Sequence, residues 1–128
     1  MNSRVKSWAR RWGPAVLIMV IIFLASSTPG DDLPQFGAFD FSLKKAGHAF
    51  GYALLALGLL RGLSYGKDSS RREWVLALLF SMLYAVSDEC HQIFTPGRTP
   101  SPIDVMIDTG GAAMGLAVWT LIRSVLLA

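Results

Sequence analysis

The chain has 128 residues, of which 52% are apolar and 16% charged, with a net charge of +3. That leaves room for one domain, and it is too oily for an ordinary soluble fold of this length. The basic residues sit at the ends of apolar runs instead of along one surface, which argues against a nucleic-acid partner, and Cys90 stands alone, which excludes an intrachain disulfide and a CxxC metal knot.

The sequence predicts an all-α membrane protein, a bundle of four transmembrane helices in one domain over residues 1–128. The spans fall at about 13–28, 46–65, 74–94 and 103–125, each near the length needed to cross the hydrocarbon, the first somewhat short. No stretch alternates with period two for long enough to build a barrel, so helices must satisfy the backbone. Thr28-Pro29-Gly30, Gly66-Lys67-Asp68-Ser69-Ser70 and Thr95-Pro96-Gly97 break the runs. The first run also has the outline of a signal peptide. An uncleaved anchor is the expectation, because Ser27-Thr28-Pro29 is a poor cleavage site.

Span two opens Lys44-Lys45-Ala46-Gly47-His48, and helical spacing sets Lys44, His48, Gly51, Tyr52 and Leu55 along one stripe. A histidine and a phenol one turn apart then face the same space. An interfacial lysine pair with an aromatic belt residue would read the same way.

Span three ends Tyr84-Ala85-Val86-Ser87-Asp88-Glu89-Cys90-His91-Gln92. On a helical wheel Ser81, Tyr84, Asp88, His91 and Gln92 share a face, Glu89 lies at its margin and Cys90 points away. Two acids, a histidine and an amide this close together are costly near lipid, so they mark a candidate site unless they protrude into the aqueous layer.

The loop Thr95 to Pro102 holds three prolines and brings Arg98 near the ends of spans three and four. There Arg98 can pair with Asp88, Glu89 or Asp104, or offer its fork to a phosphate or carboxylate. Span four opens with Asp104 and Asp108 one turn apart, on a stripe that continues through Gly111 and Gly115. These small residues admit a neighbouring helix, so the stripe should face the bundle interior.

Nine of the twelve Lys and Arg residues fall on one side of the four spans and three on the other. This places both termini in the cytoplasm and most of the acids at the outer face.

Together these segments resemble the VanZ-like family of small membrane proteins, named for a teicoplanin-resistance accessory protein. The resemblance is carried by Lys45-x-x-His48-x-x-x-Tyr52, by Ser87-Asp88-Glu89-x-His91-Gln92-x-Phe94-x-Pro96-Gly97-Arg98, and by Asp104-Val105-x-Ile107-Asp108-x-x-Gly111. The Ser26-Ser27-x-Pro29 exit from span one belongs to it as well. It implies a multi-pass protein of the bacterial inner membrane with a role in the cell envelope, sometimes in glycopeptide resistance.

Two functions are expected to compete. One is a membrane enzyme or binder acting on the head of a lipid-linked envelope precursor or a glycopeptide. In it His48, Asp88, His91, Asp104 and Asp108 would be the acid–base groups, and Lys45, Tyr52, Glu89, Gln92 and Arg98 the substrate-binding ones. A divalent metal is a minority option, because no recognised ligand spacing such as HExxH is present. The other is a non-catalytic scaffold in which the same residues form a salt-bridge network.

Overall fold

The computed structural model describes residues 2–35 and 37–127. Its elements are α1 (Ser3–Ser27), α2 (Asp40–Leu63), α3 (Arg71–Gln92) and α4 (Pro102–Leu126), with two 3-10 turns, Gly30–Asp32 and Gly37–Phe39, between α1 and α2. Three of the helices, α1, α2 with its leading turn, and α4, are long and apolar enough to cross a membrane. The remaining helix, α3, carries Arg71, Arg72 and Glu73 at one end and Asp88, Glu89, His91 and Gln92 at the other. That polar load separates it from its neighbours.

Helix α1 is longer than its apolar run. It begins at Ser3, where the Asn2 side chain accepts the Arg4 N–H at 3.4 Å, and nothing before Pro14 interrupts it. Pro14 lies inside the helix and has no N–H for the carbonyl of Arg10 one turn back. Arg61 of α2 supplies the missing donor, its Nη1 lying 2.5 Å from the Arg10 oxygen and 3.3 Å from that of Arg11. In return, Arg11 Nε donates to the Gly62 carbonyl at 2.7 Å, and a side chain at Gly62 would collide with the Trp12 ring. One end of α1 and α2 is thereby clasped in both directions.

Helices α2 and α3 each touch all the others, whereas α1 and α4 lie on opposite flanks and share no contact among the described residues. The core runs along Tyr52, Leu55, Ala56 and Leu60 of α2, closed by Ala15 and Ile22 of α1, Ala77 and Ala85 of α3, and Ala112 and Leu116 of α4. The closest pairing is α2 with α4. A Cβ at Gly111 would overlap the Ala49 backbone, and one at Gly115 would lie 2.8 Å from the Ala53 Cβ. The expected inward stripe of α4 is therefore the seam with α2, as small-residue faces allow in lipid.

Outward, α1 presents Leu17, Val20, Ile21 and Leu24, and α4 presents Val118, Leu121, Ile122 and Val125. Bare apolar flanks of this extent suit hydrocarbon and not water, and the chain is a multi-pass membrane protein.

The two Thr-Pro-Gly breakers meet in space. Gly30 N–H donates to the Pro96 carbonyl at 3.1 Å, and Gly97, at φ +70°, sits so close that a side chain on Gly30 would strike its carbonyl. This contact ties the α1 exit to the α3–α4 loop and fixes where the next residue, Arg98, begins.

Candidate functional site

The α1 exit, the start of α2, the end of α3 and the start of α4 gather at one end of the bundle. Local sequence sets the last of these: Ser101 caps α4 by accepting the Ile103 N–H at 3.1 Å, Pro102 opens the helix, and Asp104 lies in its first turn. Asp104 and Asp108 then face α2 one turn apart. Lys45 of α2 forms an ion pair with Asp104. One turn deeper, His48 Nδ1 lies 3.9 Å from Asp108 Oδ2, and the Asp108 side chain is only 3% exposed. That distance suits a charge interaction but exceeds a hydrogen bond.

These groups line a cavity of about 110 Å³, large enough for several waters or a compact headgroup. Lys44, Lys45 and His48 come from α2, Glu89 and Gln92 from α3, Arg98 from the loop, and Asp104, Ile107 and Asp108 from α4. Seven of the ten residues expected from the sequence are on its wall. Glu89, which the wheel left at the margin, is buried there and accepts the Ser101 N–H at 2.7 Å.

The other three are placed differently. Asp88 is buried behind the wall, where the Ser26 hydroxyl donates to it at 2.7 Å and Gln92 Nε2 at 3.3 Å. His91 turns towards α1, with Nε2 2.9 Å from the Ser27 hydroxyl and its ring 4.6 Å from that of Phe23. Tyr52 is fully buried, its ring 6.2 Å from Tyr84, and its hydroxyl has no hydrogen-bond partner among the described residues. Ser26 and Ser27 are thus the missed residues of the site. Their signal was the Ser26-Ser27-x-Pro29 exit, which carried the resemblance and was given no role for its hydroxyls.

Arg98 departs from the expected pairing with Asp88, Glu89 or Asp104. Its partners are carbonyls: Nε donates to Thr28 O at 3.1 Å and Nη2 to Ala25 O at 2.6 Å, so it caps the end of α1. Burial draws its pKa below the usual value, with the charges of Asp88 and Glu89 opposing, and a guanidinium remains a cation regardless. The planar fork explains the choice of residue, since one ammonium cannot meet two carbonyls and a cavity in the same way.

Among the described residues, no three His, Cys, Asp or Glu side chains converge closely enough to hold a metal ion. The acids are taken up singly, by Lys45, by Ser26 and Gln92, and by the Ser101 amide. His48 and Asp108 are the pair that stops short of contact, and both can exchange a proton with a group placed beside them in the cavity.

The family model described as VanZ/LLP1 matches residues 12–123. No curated protein and no solved structure matches the chain.

Proposed function

The chain belongs to the VanZ/LLP1 family, and from that footing we propose that it binds or processes the polar head of a lipid-linked or cell-envelope substrate. In this reading it lies in the bacterial cytoplasmic membrane with both termini inside, and its activity bears on glycopeptide resistance. The observation that carries the reading is the polar cavity itself, which holds cations and carboxylates from three helices and a loop in a bundle whose flanks are bare hydrocarbon. Lys44, Lys45 and Arg98 supply positive charge for a phosphate or carboxylate head. His48 and Asp108 act as the acid–base pair, Gln92 orients the head, and Glu89 turns its phosphate by repulsion towards the cations. Asp88 and His91 hold α3 against Ser26 and Ser27 of α1, and are positioning residues.

The proposed topology rests on the division of Lys and Arg residues, nine against three, across four spans. Spanning by α3 is supported by its 22 residues, about 33 Å of helix, and by its packing against all three partners.

The alternative, a non-catalytic scaffold, draws on the Lys45–Asp104 pair and on Arg98 being occupied by α1 carbonyls. The two readings part at a charge swap. With Lys45→Asp and Asp104→Lys combined, a scaffold keeps both its stability and its envelope phenotype. A head-binding site recovers stability but loses binding of a polyprenyl phosphate and any turnover of it.

A further inference from the structure

Two apolar grooves open from the polar cavity towards the lipid. One, of about 260 Å³, lies between α1 and α2 against Ile21, Ile22, Leu33, Leu43 and the glycines 47 and 51. It shares Lys44, His48 and Arg98 with the cavity. The other, of about 450 Å³, lies between α3 and α4 against Val86, Cys90, Ile93 and Val105, and shares Glu89.

We propose that the α1–α2 groove receives the hydrocarbon chain of a lipid whose anionic phosphate head occupies the polar cavity. This rests on the head-binding reading above and adds the route by which the chain leaves the protein. Charge decides between the grooves. The doorway to the α1–α2 groove is formed by Lys44, Arg98 and His48, of which Lys44 is also held by Asp40 at 2.7 Å. The doorway on the other side is the Glu89 carboxylate, which repels a phosphate.

Glycine accounts for the space. A Cβ at Gly47 would meet nothing within 4 Å, and one at Gly51 would lie 3.6 Å from Ile22. Two consecutive turns of α2 are therefore shaved bare beside the cavity, although glycine weakens a helix interior. Leu43 to Gly51 spans roughly 12 Å of helix, a strip along which a chain can lie parallel to the bundle.

Gly47 lines the groove and not the cavity, so Gly47→Trp fills the groove from outside the cavity, and it replaces a poor helix former. The full chain in detergent would be titrated with dioleoyl phosphatidic acid by native mass spectrometry, and with glycerol 3-phosphate by calorimetry. Wild type should bind both. Gly47→Trp should weaken the lipid by at least about tenfold and leave glycerol 3-phosphate unchanged. Cys90→Trp, which fills the α3–α4 groove, should leave both unchanged. Loss of the lipid in Cys90→Trp but not in Gly47→Trp would overturn the proposal in favour of the other groove. Loss of both ligands in Gly47→Trp would overturn it by showing that groove and cavity are not separate. If wild type binds neither ligand, the head-binding reading falls and the groove falls with it. Tight glycerol 3-phosphate binding with no gain from the acyl chains sinks the groove alone.

Discussion

Both ends of the bundle pair surface charges, but they differ in what they do with buried acids. At the end holding the α2–α3 loop, charges are satisfied locally and close to water: Lys67 donates to Glu73 at 2.6 Å, Arg123 pairs with Asp68, and Arg61 and Arg11 cap the carbonyls of Arg10 and Gly62. At the other end, Asp88, Glu89 and Asp108 are buried, and each is met by a different kind of partner: hydroxyl and amide, backbone N–H, and a histidine held just out of contact. The first arrangement anchors helix ends. The second holds unneutralised polarity inside the protein, which is costly unless a ligand uses it.

The site end is most vulnerable at the α2–α4 seam, because the cavity exists only while those helices touch. Gly111→Leu should lower thermal stability in detergent by about 3 kcal/mol or more, at the upper end of overpacking, since the obstacle is the Ala49 backbone. Gly110→Leu, one residue away with nothing within 4 Å, should be nearly neutral. Equal losses in the two variants would mean the seam is elsewhere.

At Asp88 the cost should come from stranded partners. Asp88→Ala leaves the Ser26 hydroxyl and the Gln92 amide without their acceptor, about 1–3 kcal/mol, and Asp88→Asn, which keeps an acceptor oxygen, should lose clearly less. The same variants, read for ligand binding, test whether Asp88 positions the helices or meets the ligand.

How much of this was legible in the sequence depends on the kind of partner. The inward face of α4 was readable, because Asp104, Asp108, Gly111 and Gly115 mark it by type as well as spacing. The capping of α1 by Arg98 was not, since its acceptors are the carbonyls of Ala25 and Thr28, and a carbonyl looks the same at every position. His91 was assigned to the right face of α3, but a wheel gives direction and not neighbour. Along that face, α1 covers His91 while the cavity takes Gln92. The start of α1 escaped because its first residues are basic and polar, and hydropathy marks where lipid begins, not where a helix does.

At the loop end, Pro14 and Arg61 offer a smaller and cleaner effect. Arg61→Ala should cost about 0.5–1 kcal/mol, because water can replace it at the exposed Arg10 carbonyl. In a Pro14→Ala background, where the helix restores its own N–H, the same substitution should cost much less. Additive losses in the double variant would show that Arg61 serves something other than the proline gap.

The smallest effect concerns Glu73. Lys67 and the Ser70 hydroxyl and amide hold its pKa down to about 2 from 4.5. Because the folded-state value is the lower one, the stabilisation is complete above pH 4.5 and drains away as the pH falls towards 2. Glu73→Gln should flatten that part of the pH–stability curve and leave lipid binding at the far end unchanged.

The cavity walled by His48, Arg98 and Asp108 should receive an anionic head. The most direct measurement is a crystal structure grown from a lipidic mesophase containing phosphatidic acid. A phosphate within about 3 Å of Lys44, His48 or Arg98 is the predicted result. Water alone in the cavity, with lipid phosphates confined to Arg71 and Arg72 at the opposite end, would contradict it.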